Sequence, residues 1–244
     1  MAESIAKIRL LAPYVAENCH PGQFVHLRLP NLEAHILRRP FSVYAADARS
    51  GEIQLLYQTV GAGTEHLTTV GRGAQIDVIG PIGRGWQPQP SAKRVLLVGG
   101  GLGVAPLYML AASFRTDVEV HLVMGAQSAD RLICREPFST YITEPCLHIT
   151  TDDGSAGQHC FTTKVVKDLL DEGSFDYIAT CGPEAMQKAV AALAAEHKTV
   201  CEVSLERRMA CGIGACLSCM VETINGPQRA CVDGPVFSAL EVIW

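Results

Sequence analysis

No stretch of the 244-residue chain reaches the roughly 18 consecutive apolar residues that a membrane-spanning helix needs. The opening segment, MAESIAKIRLLAPYVAENC, carries charges throughout and lacks the continuous apolar core of a secretory leader. Both absences point to a cytoplasmic protein with no membrane partner. A basic excess is missing too: 20 Lys and Arg stand against 25 Asp and Glu, a formal net charge of -5. A nucleic-acid partner would want a basic face, so none is expected. No nucleophile–base pair or paired carboxylates argue for hydrolysis. Asp152 and Asp153, in TDDGSAG, read as a turn at a crevice wall. Repeats and low-complexity tracts are absent. Charged residues make up only 18% of the chain and apolar ones 48%, which excludes disorder and leaves enough to bury a core.

Three zones follow one another. Residues 1–90 hold short runs rich in Val, Ile, Leu and aromatics (GQFVHLRLP, PFSVYAA, EIQLLYQTV), separated by Gly, Pro and Asn. That spacing predicts a β-barrel or sandwich. GRGWQPQPSAKR, residues 83–94, reads as a linker. In residues 91–205 strands such as RVLLVGG and VEVHLVMGA alternate with helical patterns such as VAPLYMLAASF and TTKVVKDLLDEG. Alternation of this kind predicts right-handed crossovers and a parallel sheet of the nucleotide-binding type. Residues 206–244 are Gly- and Cys-rich and too few to hold a core alone, so they call for a metal or disulfides.

The chain has ten cysteines. Cys19, Cys134, Cys146, Cys160, Cys181 and Cys201 lie scattered among apolar neighbours and read as small buried hydrophobes. Cys211, Cys216, Cys219 and Cys231 are spaced C-x4-C-x2-C-x11-C. This is the plant-type [2Fe–2S] ligand pattern, in which each of two irons takes two thiolates. Gly212, Gly214 and Ala215 keep the loop slim enough for backbone N–H groups to approach the sulfurs. A zinc site, which favours two C-x2-C-like pairs, and a disulfide or thiol switch are the alternatives.

Gly99, Gly100, Gly101 and Gly103, in VLLVGGGLGVAPL, stand between a buried strand and a helix. Glycines there admit a pyrophosphate to the helix N-terminus; a plain glycine turn is the alternative. Pro106 replaces the third glycine of the usual fingerprint, and no acidic residue ends the second strand at VHLVMGA. Arg131, just after it, suits a 2′-phosphate or simply solvent. Cys181, Gly182 and Pro183 end a later strand and would lie beside the same crevice, or form a simple turn. In RRPFSVY, Arg39 suits a phosphate, Phe41 a ring and Ser42 a flavin nitrogen or oxygen, although the composition alone is that of an ordinary strand. GAGTEHL, residues 61–67, offers a second phosphate cradle around Thr64.

Each motif is ambiguous, but the ordered set resembles the ferredoxin–NADP reductase superfamily. Within it, the chain is most similar to the electron-transfer subunits of type B dihydroorotate dehydrogenase. Those subunits end in E-R-x-M-x-C-G-x-G-x-C-x-x-C followed by C-x-D-G-P-V-F; here the segments read ERRMACGIGACLSC and CVDGPVF. The likeness covers essentially the whole chain. It implies a ferredoxin reductase-like fold: an FAD-binding β-barrel, an NAD-binding α/β domain and a small C-terminal [2Fe–2S] domain. It places the flavin site on Arg39, Pro40, Phe41, Ser42, Leu56, Tyr57, Gln58, Gly63 and Thr64, and the cluster on Cys211, Cys216, Cys219 and Cys231. The nicotinamide nucleotide falls to Gly100, Gly101, Gly103, Cys181, Gly182 and Pro183. It also implies a separate FMN-containing catalytic subunit, in a heterotetramer of two subunits of each kind. Electrons would pass from that subunit through [2Fe–2S] and FAD to NAD+, in pyrimidine (UMP) biosynthesis. A related subunit coupling NAD(P)H to ferredoxin or sulfide is the alternative. Two departures stand out. Gln58 sits where relatives often carry arginine, which weakens a phosphate contact. The stretch from Cys219 to Cys231 is short, which trims a hairpin beside the cluster.

Overall fold

The structure, a computed structural model, describes residues 4–32 and 35–244. Five strands make the first sheet: β1 (Ile5–Leu11), β2 (Phe24–Arg28), β3 (Arg39–Asp47), β4 (Glu52–Gln58) and β5 (Asp77–Ile82). They run in the order β1-β4-β3-β2-β5, every neighbouring pair antiparallel. Strand periodicity explains the core: alternate side chains Val25 and Leu27 of β2, with Val43, Ile53 and Leu55, are fully buried in one cluster. The other face of β2 is not solvated. Phe24 and His26 on that face are also buried, and Phe24 joins a core that includes the C-terminal segment.

The second sheet comprises β6 (Arg94–Gly100), β7 (Glu119–Ala126), β8 (Leu147–Thr151), β9 (Gln158–His159), β10 (Tyr177–Cys181) and β11 (Val200–Ser204), joined by the late strand β14 (Val236–Ser238). Between β11 and β14 the short strands β12 (Met220–Val221) and β13 (Gln228–Arg229) form a separate hairpin. The large sheet has the order β14-β11-β10-β6-β7-β8-β9 and is parallel except for β14. Its central strands are buried on both faces, as the continuous apolar run RVLLV requires. Helices Thr162–Glu172 and Glu184–Glu196 cover one face, and the segment from Gly101 to Ser113 covers the other. The chain walks outward from β6 to β9 and then crosses back to β10 on the opposite side of β6. The topological switch point therefore lies beyond the carboxyl ends of β6 and β10, where ligands of such sheets bind.

Two sequence expectations change. Residues 83–94 do not behave as a loose linker. Trp86 is buried in the core of the large sheet, with its indole N–H donated to the Pro106 carbonyl at 3.4 Å, and Gln87 N–H donates to the buried Glu202 carboxylate at 2.8 Å. One buried indole outweighs a run of Gly, Pro and Gln. The helix expected from Val104 begins as a 3-10 turn, Gly101–Leu107, and becomes α-helical only at Tyr108–Ser113. Pro106 cannot donate a backbone hydrogen bond, which suits the tighter turn.

The last forty residues borrow their core. Cys219, Val221, Ala230, Cys231 and Phe237 pack in one cluster with Phe24 and Ile82 of the first sheet and with Ile178 and Val203 of the second. Strand β14 extends the large sheet beside β11. Leu205 and Arg84 both donate backbone N–H groups into the Gly234–Pro235 turn.

Candidate cofactor sites

The switch point opens into a crevice of about 520 Å³. Gly100, Gly101 and Pro183, three of the residues the motifs singled out, line it. The glycines divide by task. Gly101 has φ +55° and nothing near the position of a β-carbon, so it faces open space. A β-carbon on Gly103 would stand 2.4 Å from the Cys181 carbonyl oxygen, so Gly103 exists to let the C-G-P turn approach. Gln127, Arg131, Asp152, Phe161, Thr162 and Thr163 complete the walls. Asp152 arrives from the end of β8, not from β7, where a ribose-binding acid was sought and not found. A smaller pocket of about 290 Å³ adjoins, lined by Gly103, Gly182, Gln187, Glu206 and Arg207 among others. Gln187 is buried and donates through Nε2 to the Gly182 carbonyl at 2.8 Å. Its Oε1 has no partner among the described residues. An orphaned acceptor here suits the amide donor of a nicotinamide.

Between the two sheets runs a groove of about 320 Å³. Pro40, Phe41, Ser42, Leu56, Tyr57, Gln58 and Thr64 line it from the first sheet. Arg39 and Gly63 do not; they pack on one another, a β-carbon on Gly63 falling 2.8 Å from Arg39 Nε. The Thr64 hydroxyl is already engaged, donating to the Gly61 carbonyl at 3.0 Å and accepting from Val60 N–H at 2.9 Å, so it shapes the turn that starts helix Ala62–Thr69. Gln58 and Leu102 line both this groove and the nucleotide crevice, while Gly103 and Cys181 floor it from the second sheet. The sequence motifs did not single out Leu205, Arg207 and Met209, which form its far wall. Arg207 and Met209 belong to the E-R-x-M segment, which Leu205 directly precedes, and Met209 lies only two residues before Cys211.

The cysteine loop turns through positive φ at Gly212, Gly214 and Leu217. Its backbone points inward: Cys216 N–H donates to Cys211 Sγ at 3.4 Å. The Ser218 hydroxyl and N–H and the neighbouring Cys211 lower the Cys216 thiol to about 6, while burial and the neighbouring Cys219 push Cys231 up to about 11. Four thiolates on one zinc would stand about 3.8 Å apart, given tetrahedral Zn–S bonds of about 2.3 Å. Among the described residues no three of these sulfurs gather within 4.8 Å of one another. They meet as two pairs, Cys211 with Cys216 and Cys219 with Cys231. Pairs are what two irons with two thiolates each require. The donors that do gather within 4.8 Å are Glu119, His121 and Cys146, near the amino ends of β7 and β8, and Glu119 there is taken by Arg94 Nε at 3.0 Å. The other six cysteines are free thiols, half-buried or buried.

Three family models match successive stretches of the chain. Residues 2–86 match the oxidoreductase FAD-binding domain, residues 97–192 the oxidoreductase NAD-binding domain, and residues 206–243 the iron-sulfur cluster binding domain of dihydroorotate dehydrogenase B. A Fusobacterium nucleatum protein, the electron transfer subunit of dihydroorotate dehydrogenase B (NAD(+)), is 36% identical over 249 residues, covering 99% of this chain and 94% of that one. Its counterpart in Listeria monocytogenes is 39% identical over 248 residues, with the same coverage. The chain belongs to this family of electron transfer subunits. As in the family, its cofactors are FAD and a [2Fe–2S] cluster, with NAD as the nicotinamide nucleotide. The groove, the crevice with the adjoining pocket and its orphaned Gln187 oxygen, and the paired thiols fit these three groups. The family's fold extends further. The solved structure described as NADH-dependent reduced ferredoxin-NADP oxidoreductase superposes with a TM-score of 0.88 at 33% identity, over all of this chain and 86% of that one. The cytochrome b5 reductase domain of Ulva prolifera nitrate reductase, at 19% identity and a TM-score of 0.62, shares the fold alone.

Proposed function

We propose that this chain carries electrons from an FMN-containing dihydroorotate dehydrogenase catalytic subunit to NAD+, in the pyrimidine pathway and in the cytoplasm. Two copies of each subunit make the working assembly. One observation carries the reading: the flavin groove shares Gln58 and Leu102 with the nucleotide crevice and ends at Met209, two residues from the first cluster ligand. Bound FAD supplies the needed exchange, single electrons on the cluster side and hydride on the nicotinamide side.

The chain's own residues do the placing. Phe41, Leu56 and Tyr57 give the flavin an apolar wall, and Ser42 offers it a hydroxyl. The free N–H groups at the start of helix Ala62–Thr69 meet the phosphates where the flavin runs past the groove, with Arg39 beside them against Gly63. Gly101 gives the nucleotide pyrophosphate room against the backbone, and Asp152 accepts from the adenine-side ribose. Cys211, Cys216, Cys219 and Cys231 hold the cluster. Around them Ile213 and Leu217 are 64% and 60% exposed, and Val232 is 42% exposed. Apolar side chains left bare around a redox centre suit the face on which the catalytic subunit docks.

The test uses the anaerobically purified chain. Two irons, two sulfides and one FAD are expected, with flavin reduced by NADH and no response to dihydroorotate alone. Adding the catalytic subunit should switch on dihydroorotate-dependent NAD+ reduction. The 33% identity to the ferredoxin-coupled reductase supports a second reading. NADH–ferredoxin turnover without any dihydroorotate activity in the complex would favour it.

A further inference from the structure

His26, in the middle of β2, is completely buried, and neither ring nitrogen has a hydrogen-bond partner among the described residues. Burial, with the Arg38 guanidinium nearby, holds its pKa below the usual histidine value. An uncharged imidazole has one N–H to give and one nitrogen to accept. Leaving both unpaired in the interior is costly, and native structures rarely tolerate it.

Arg38 is the charged neighbour, but it makes no hydrogen bond to the ring and is held by Asp77. Across one ladder His26 faces Pro40, which has no N–H, and across the other Ile79. Phe24 presents its ring at 5.9 Å in an edge arrangement. The remaining neighbour is the cysteine loop. A β-carbon on Gly212 would stand 2.6 Å from His26 Nδ1, so only glycine lets the loop lie against the imidazole. Gly212 directly follows Cys211, and Pro40, on the adjacent strand, lines the flavin groove. His26 thus stands between the strand that holds the flavin and the loop that holds the cluster.

Resting on the iron–sulfur reading above, we propose that His26 is a positioning residue of the cluster. Its ring, whose Nδ1 lies beside Gly212, would donate its N–H to the sulfurs held at Cys211 once the cluster is bound, adding to the hydrogen bonds that the backbone of the loop begins. Donors to cluster sulfurs stabilise the more negative, reduced state and so raise the reduction potential. His26 therefore keeps the cluster reducible by its partner. It also locks the first sheet to the cysteine loop.

The experiment is an EPR-monitored redox titration of the full-length holoprotein, wild type against His26→Leu and His26→Asn. Iron, sulfide, zinc and FAD are assayed on the same samples. Leucine fills the space without a donor, and asparagine keeps an N–H near the Nδ1 position. His26→Leu should lower the cluster midpoint potential and change its EPR g values, with the flavin potential unmoved. His26→Asn should lie between His26→Leu and wild type. If His26→Leu fails to assemble a cluster, a lowered potential in His26→Asn supports the proposal in its place. An unmoved cluster potential in fully loaded variants would overturn the proposal, as would a shift confined to the flavin. Zinc in place of iron in the wild type would overturn the iron–sulfur reading itself, a failure visible before any variant is made.

Discussion

At the scale of single residues, burial separates proposed cluster ligands that are dispensable for folding from those that are not. Cys216 is exposed, whereas Cys219 and Cys231 sit in the shared core. Cys216→Ser is expected to lose iron and sulfide while keeping FAD and its reduction by NADH. Electron flow from dihydroorotate with the catalytic subunit present should fall to background; normal flow would sink the proposed path. Gly103→Ala should be a folding defect, because the backbone carbonyl of Cys181 cannot retreat from a β-carbon 2.4 Å away. A loss of roughly 1–3 kcal/mol in urea unfolding is the expected cost of such overpacking. Asp152→Asn should raise the KM for NADH about tenfold or more, the worth of one charge-assisted hydrogen bond, with kcat little changed. The cysteine spacing was legible because ligand geometry acts over a few residues. Asp152 was legible as a turn at a crevice wall but not as a ribose acceptor, because nothing local says that β8 ends beside β7.

Among the elements, the short return from β13 to Cys231 is held by a forked ion pair. Arg229 donates from Nε and Nη2 to the Asp233 carboxylate at 3.0 and 3.2 Å, and Asp233 also accepts the Arg229 N–H at 2.8 Å. The Arg229 guanidinium holds the Asp233 carboxyl below the usual range. A carboxyl depressed on folding stabilises at pH values above its unfolded pKa of about 4, and that contribution fades as pH falls through the lower folded value. The pair is about one-third exposed, so solvent screens much of its attraction and its contribution is small. Asp233→Asn should lower stability slightly at neutral pH and flatten the acid side of the unfolding profile below about pH 4. An unchanged acid limb would show that the pair is fully screened. Strand alternation in the first zone and the βα rhythm in the second were readable from period alone. Strand β14 was not, since three residues within a Cys-rich tail carry too little pattern to announce which sheet they join.

For the whole molecule, the decisive contacts lie between the sheets. Tyr44 of β3 stacks on Tyr108 at 4.5 Å, and Tyr108 meets Phe138 and Tyr141 edge-on. Burial raises Tyr44 well above the usual phenol value and lifts Tyr108 to about 12, so both stay neutral at physiological pH. Leu102 and Ala105, which line the flavin groove, pack into the same cluster. Tyr108→Ala should lower the unfolding temperature, with roughly 0.5–1.5 kcal/mol lost from ring geometry beyond the buried area. FAD should also dissociate faster on dilution. Unchanged flavin retention would mean that the stacking braces the sheets without shaping the groove.

The three zones, the proposed cluster ligands and the glycine turn were legible in the sequence by itself, because each depends on short-range periodicity or on ligand spacing along the chain. Only the tertiary structure decided that Trp86 anchors a segment that looked like a linker. It alone set Arg39 against Gly63, outside the groove, and brought Met209 to the groove's far wall. It also placed His26, one polar residue in an apolar strand, against Gly212 of the cysteine loop. These depend on which strand faces which loop after the sheets have closed. Contacts between residues up to about 190 positions apart leave no period in the chain, because loop closure and packing choose them only once each element has a partner.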